Sequence, residues 1–246
     1  MASGCFDLLA ADYDRAWTNS GAGRLQRDGV WRHMMPLFRS GNLVLDLGCG
    51  TGEDAQHLLG HGVRVLALDA SSQMVQIARS RGVNAQVKAI EDIYDLDGTF
   101  DGIISNFGAF NCVPDIRQLR TSLVRLLRPG GYFVVCLMGR FCLAESLHFL
   151  WRCQFRKAAR RWSGKTHVQT LDLRVAYPTA GQMTMALNPE FRLARRIGIG
   201  LAVPPSYIAG LSRKSLEIRD RIDTRLGHWP FLRSLADHQL FIFVRK

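Results

Sequence analysis

The sequence predicts an α/β domain: a doubly wound seven-stranded sheet, mostly parallel with an antiparallel last strand, plus an N-terminal helical arm and an inserted helical lid. Three observations carry that expectation. Apolar runs rich in Val, Ile and Leu recur at Val44–Leu47, Val63–Asp69, Phe100–Asn106 and Tyr132–Met138, each bounded by turn residues. Stretches with helical spacing lie between them, and strands alternating with helices make parallel βαβ units. The first strand also runs straight into Gly48-Cys49-Gly50-Thr51-Gly52, three glycines spaced two apart, before Glu53–Leu59 opens a helix.

Composition sets the outer limits. The chain has 246 residues, 47% hydrophobic and 22% charged, which suits one large globular domain or one domain with an insertion. No apolar run reaches the ~18 residues of a membrane span, and the start lacks the basic-then-apolar order of a signal peptide. The cysteines at 5, 49, 112, 136, 142 and 153 form no CxxC pair, and HExxH is absent. No metal site is therefore expected, and the cysteines read as thiols in a reducing, cytoplasmic setting. The net charge of +11 is uneven: residues 1–135 carry 13 Lys/Arg against 14 Asp/Glu, and residues 136–246 carry 19 against 7. That asymmetry suits an anionic partner for the second half, or simply a soluble basic face.

The elements follow in order. Residues 1–40 form the arm: Phe6, Leu8, Leu9, Tyr13 and Trp17 have helical apolar spacing, Gly21-Ala22-Gly23 is expected to interrupt it, and Arg24–Phe38 to form a second helix. Residues 41–138 hold a ligand-binding half. Asp46 places a carboxylate at the end of strand one, where open α/β sheets take their ligands. Asp69 ends strand two, 23 residues later, placed to accept from ribose hydroxyls. Ala70–Met74 caps and opens the next helix. Asn84–Ala89 is strand three, followed by Ile90-Glu91-Asp92-Ile93. Phe107–Val113 leaves the end of strand four, and Pro114-Asp115 starts a helix to Leu127. In Arg128-Pro129-Gly130-Gly131 the proline fixes a turn and the glycines permit positive φ before strand five.

Residues 139–190 read as the lid with acceptor-side elements. Phe141–Trp162 is predicted helical, with Arg152, Arg156 and Arg160 on one stripe, widened by Lys157 and Arg161. Leu143, Leu147, Leu150, Trp151 and Phe155 supply apolar surface. This composition suits a lid over the site or a helix on a membrane surface, and the lid is preferred. Val168–Tyr177 alternates as a strand, and Pro178–Gly181 leads into a helix to Leu187. Residues 191–246 complete the same domain with a sixth strand (Phe191–Ile199), a charged helix (Leu211–Leu226) and a closing strand (His238–Arg245).

The glycine spacing narrows the ligand. A dinucleotide fingerprint is G-x-G-x-x-G, shaped for pyrophosphate at a helix N-terminus. Here it is D-x-G-x-G-x-G, and Glu53 and Asp54 open the helix; both suit the helix dipole but repel pyrophosphate. A ligand with a cationic centre and an amino-acid end fits better. The loop resembles motif I of the class I S-adenosylmethionine-dependent methyltransferases, which have a Rossmann-like fold. Asp69-Ala70-Ser71 with Met74, and Leu127-Arg128-Pro129-Gly130-Gly131 before an apolar strand, resemble the same family. The likeness is close over residues 40–138.

That resemblance implies S-adenosyl-L-methionine as cofactor, held by Tyr13, Asp46, Gly48, Cys49, Gly50, Thr51, Gly52, Asp69, Ala70, Met74, Glu91, Asp92, Ile93 and Asn106. It implies Asp46 at the methionine end, Glu91 or Asp92 at the adenine amino group with an apolar neighbour on the ring, and Tyr13-Asp14 in an arm folding over the cofactor. Trp17, Phe107, Phe110 and Asn111 are expected to face the acceptor. No catalytic base is assigned. Ser105-Asn106-Phe107-Gly108 lacks the Pro-Pro of enzymes that methylate amino groups of adenine or glutamine, and Cys112-Val113-Pro114 reverses the Pro-Cys order of cytosine-C5 enzymes. The expected function is methyl transfer to a small, apolar or aromatic acceptor, lipid-like or anionic. The alternatives are nucleic-acid or protein methylation through the basic half, and cofactor binding without catalysis.

Overall fold

A computed structural model describes residues 6–169, 172–208 and 210–246. Among them, a seven-stranded sheet runs in the order β3-β2-β1-β4-β5-β9-β8. Its strands are β1 (Leu43–Leu47), β2 (Arg64–Asp69), β3 (Ala85–Val87), β4 (Phe100–Ser105), β5 (Leu127–Met138), β8 (Phe191–Ile199) and β9 (His238–Arg245). β1 to β5 pair in parallel, while β9 is antiparallel to both β5 and β8. The doubly wound sheet and its reversed last strand match the expectation from sequence.

Period-two alternation builds two cores from each central strand. On β5, Phe133, Val135 and Leu137 enter one core with Leu45, Leu47, Phe241 and Phe243. Val134 and Cys136 enter the other with Val44, Ala67, Ile104 and Ile242. These side chains are almost wholly buried, and each Leu, Ile, Val or Phe so placed contributes about 1.5–3 kcal/mol.

The arm departs from expectation at its glycines. A short α1 (Ala10–Tyr13) runs into a π-helical turn (Asp14–Thr18), and α2 (Gly21–Met34) then starts at Gly21 itself. Ser20 caps α2, accepting from the Gly23 N–H at 3.0 Å. A Cβ on Gly23 would lie 2.1 Å from the Trp17 carbonyl oxygen. Gly23 thus permits two helix ends to touch, and Gly21 leaves room for Leu216, rather than either breaking a helix.

α3 (Glu53–Gly60), α4 (Ser72–Ser80) and α5 (Ile116–Leu126) follow β1, β2 and β4. The insertion after β5 differs from the single helix expected. α6 (Leu143–Trp151) stops, the chain turns through Cys153 at φ 55°, and a one-turn α7 (Phe155–Ala158) follows. Arg152, Arg156 and Arg160 therefore share no continuous helical stripe. The expected strand Val168–Tyr177 is instead part of an antiparallel hairpin, β6 (Lys165–Val168) and β7 (Leu173–Ala176), forming a separate sheet. Residues 170 and 171 of that stretch lie outside the described residues, as do Cys5 and Ala209. α8 (Ala180–Leu187) opens on a Thr179/Gln182 capping box, and α9 (Arg213–Leu226) on Ser212. No helix among the described residues is long and apolar enough to cross a membrane.

Candidate active site

The loop after β1 is held in a conformation that suits glycine. Gly48, Gly50 and Gly52 have φ of 75°, 53° and 82°, the left-handed region that a Cβ disfavours. At Gly48 a Cβ would also sit 2.2 Å from the Ala109 Cβ, and at Gly52 it would sit 2.9 Å from the Ala78 Cβ. At Gly50 the same position is empty to 4 Å, so bare backbone faces open space.

Asp69 at the end of β2 ties this loop down. Its Oδ2 accepts from the Gly50 N–H at 2.8 Å, and its Oδ1 accepts from the Ser71 N–H at 2.9 Å. Burial raises its pKa, with those two N–H groups opposing the shift. Asp46 is 1% exposed and its Oδ2 has no hydrogen-bond partner. Burial, then the Asp54 and Asp69 charges, push its pKa well above the usual carboxylate range, with Arg27 pulling against them. Just past the end of neighbouring β4, the buried Asn106 Oδ1 is also unpartnered. Unpaired buried acceptors are costly, and an ammonium group is the donor that would satisfy such oxygens while stabilising ionised Asp46.

Beneath the loop lies a buried polar layer that the sequence did not reveal. Arg27 pairs with Asp54 at 2.7 Å, both nearly inaccessible, and the Trp31 indole N–H donates to Asp54 at 2.6 Å. The Arg27 guanidinium lies 4.6 Å from the Trp17 ring centroid and 4.9 Å from that of Phe107, so it also makes cation–π contacts. No motif marks these residues; only the folded arm brings α2 under the glycine loop.

The arm is pinned across the loop by two carboxylates. Asp14 accepts from the Thr51 hydroxyl at 2.8 Å and pairs with Arg81. Asp7 accepts from the Ser71 hydroxyl at 2.5 Å and the Gln73 N–H at 3.1 Å.

A cavity of about 270 Å³ opens between arm, loop and hairpin. Of the residues singled out from sequence, Tyr13, Gly48, Gly50, Asp69, Ala70, Met74, Glu91, Asn106 and Phe107 line it. Cys49, Thr51 and Gly52 shape the loop without lining the cavity, and Asp46, buried at the end of β1, does not line it either. Glu91 of the acidic pair reaches the wall; Asp92 is exposed away from it. Ile93 is wholly buried in the core, and Ile90 takes the lining position. Trp17 touches Phe107 at 4.5 Å between centroids but does not itself line the cavity.

Two expected acceptor residues are elsewhere. Phe110 is buried in the core, its ring 5.4 Å from that of Phe133. Asn111 is fully buried, and its amide is used in the scaffold: it donates to the Met138 and Ala176 carbonyls and accepts from the Met138 N–H. The 3-10 turn Ala109–Cys112, entered through Gly108 at φ 101°, points both inward. The rest of the cavity wall includes Cys112, Val113 and Met138 with Leu173 and Val175 of β7, and Phe6 from the arm. Alternation on β7 was the sequence signal for the two hairpin residues.

Sheet order, glycine loop and paired carboxylates define a Rossmann-like methyltransferase fold. Residues 44–131 match the family model described as a methyltransferase domain. Over that span the chain is similar to class I S-adenosylmethionine-dependent methyltransferase domains. It is 34% identical over 143 residues to the demethylmenaquinone methyltransferase of Clavibacter sepedonicus, covering 55% of this chain and 57% of that protein. The chain thus spans a little over half the length of such relatives. Among solved structures, the S-adenosylmethionine-dependent methyltransferase from Mesorhizobium loti superposes with a TM-score of 0.62 at 19% identity, covering 90% of this chain and 100% of that one. The CcbJ methyltransferase from Streptomyces caelestis gives 0.63 at 15% identity, covering 100% and 99%. At these identities the structures establish the fold alone.

Proposed function

We propose that this protein transfers the methyl group of S-adenosylmethionine to a small, largely apolar or aromatic acceptor of lipid-like character. One observation carries the reading: a single cavity has glycine backbone and carboxylates on one side and an apolar wall, Val113, Met138, Leu173 and Val175, on the other. The unpartnered oxygens of Asp46 and Asn106 suit the amino end of the cofactor. Asp69 suits the ribose, and Ile90 with Glu91 suits the base.

S-adenosylmethionine supplies an electrophilic methyl that is displaced in line. The residues of this chain then have orienting and water-excluding work to do. Phe6 and Tyr13 wall the cavity on the arm side. Burial pushes the Tyr13 hydroxyl up to about 12, so at neutral pH it keeps its proton and acts as a donor rather than a base. The relatives' name makes a demethylmenaquinone-type acceptor the first to try.

Calorimetric titration of S-adenosylmethionine tests the donor half. The native chain should bind, and Asp69→Ala should weaken binding by about 1–3 kcal/mol through lost charge-assisted hydrogen bonds; unchanged affinity would remove Asp69 from the ribose. The acceptor half is tested by S-adenosylhomocysteine release with an isoprenoid naphthoquinol. Cofactor binding with no release above the acceptor-free rate would overturn an apolar quinol acceptor.

A further inference from the structure

The insertion after β5 presents a surface that methyl transfer does not use. Among the described residues, Phe141, Leu143, Leu147, Leu150, Trp151, Phe155 and Trp162 are 7 of the 18 exposed large hydrophobic side chains. They fall within a 22-residue stretch, so the apolar surface is concentrated there rather than scattered, and such patches mark interaction sites. Its tip is the turn between α6 and α7. Every residue from Trp151 to Lys157 is exposed, and Trp151 is 91% accessible and Phe155 64%. The turn at Cys153 creates this tip, because a continuous helix would have laid one side of the segment against the body.

Charge identifies what the tip fits. Arg152, Arg156 and Lys157 stand beside the two aromatic rings, and none of them is ion-paired among the described residues. The acid of this segment, Glu145, is buried and paired to Arg160 and Arg161 at 2.5 and 2.6 Å, so it neutralises nothing at the tip. A second copy of the chain would bring these cations against their own kind. A nucleic-acid duplex, with its bases already stacked, would accept the cations but leave Trp151, Phe155 and Leu147 in water. An anionic bilayer satisfies both: aromatic side chains settle at the headgroup level and cations meet lipid phosphates.

We propose that the α6–α7 tip is a docking surface for anionic lipid bilayers, with Trp151 and Phe155 inserted at the headgroup boundary and Arg152, Arg156 and Lys157 against lipid phosphate. The surface lies beside the sheet's ligand end, because the insertion departs from Met138 on the cavity wall. Arg140 and Lys165 at its two ends line a neighbouring cavity of about 600 Å³. Bilayer docking does not depend on the identity of the methyl acceptor.

Sedimentation of the full chain with phosphatidylcholine vesicles, with and without phosphatidylglycerol, tests this. The native chain should co-sediment with the phosphatidylglycerol vesicles and remain in solution with phosphatidylcholine alone. Neutralising three cations in Arg152→Gln/Arg156→Gln/Lys157→Gln should weaken partition by about a hundredfold. Trp151→Ala/Phe155→Ala should weaken it at least about tenfold, with the melting temperature of the native chain retained because both side chains are in water. Partition unchanged in both variants, or no partition onto phosphatidylglycerol, would overturn the proposal. So would light scattering that shows a native dimer made monomeric by Trp151→Ala/Phe155→Ala.

Discussion

Gly48 and Gly50 look equivalent in the sequence and are different in the fold. Both have positive φ, which costs a Cβ-bearing residue about 1–2 kcal/mol. Gly48 alone also abuts Ala109, whose Cβ would lie 2.2 Å from an added methyl, and overpacking adds about 1–3 kcal/mol. Gly48→Ala should therefore lower unfolding free energy in urea by about 2–5 kcal/mol, and Gly50→Ala by only about 1–2 kcal/mol. Equal losses would show that Ala109 yields to the added methyl. At this scale the sequence was informative where backbone dictates residue type, as in the glycines and the Asp69 that binds their N–H groups. It was uninformative where a local turn decides orientation. Phe107 and Phe110 are both aromatic residues after β4, yet one lines the cavity and the other packs on Phe133. Only Gly108, at φ 101°, and Ala109, where the 3-10 turn starts, separate them, and no spacing rule reports that rotation.

Elements were legible wherever hydrophobic period and caps agreed. β1, β2, β4, β5, β8 and β9 follow their apolar runs, and α8 begins at its capping residue Thr179. The errors arose where tertiary contact overrode local signals. Gly21 and Gly23 read as breakers but serve close packing, Gly23 against the Trp17 carbonyl and Gly21 against Leu216, and the α6–α7 segment has helical composition but turns at Cys153. α2 carries a pH dependence of its own. Burial, then the charges of Arg195, Arg32 and His228, lower the His33 pKa to about 4 from 6.5. Between those values the unfolded chain binds more protons than the folded one, so stability falls as pH drops through that window. His33→Gln should flatten the decline in melting temperature between pH 6.5 and 4. Parallel curves for variant and native chain would exclude His33 as the source.

At the scale of the whole molecule, buried charge fastens the individual second half to the shared first half. Arg161 of the insertion pairs with Glu145 and with Asp237 at 3.0 Å, just before β9. Asp237 in turn accepts from Gln26 of α2 at 3.1 Å. Burial opposes the Asp237 charge, but His238 and Arg161 hold its pKa well below the usual range. Nothing in the sequence announced this knot, since its members lie at positions 26, 145, 161 and 237. The methyltransferase half was readable because backbone-determined motifs repeat in order. The hairpin side of the cavity was not, because its walls come from side chains joined only by folding.

The arm's attachment has a consequence in time. Phe6 and Tyr13 wall the cavity, while Asp7 and Asp14 grip Ser71, Thr51 and Arg81 from outside it. A spent ligand covered by the arm would depart no faster than those grips release. Arg81→Gln should accelerate dissociation of S-adenosylhomocysteine in stopped-flow displacement, and added salt should do the same for the native chain. Identical off-rates would mean the ligand leaves by another side. With a grip of this kind, residence time would be set by carboxylates that do not line the cavity.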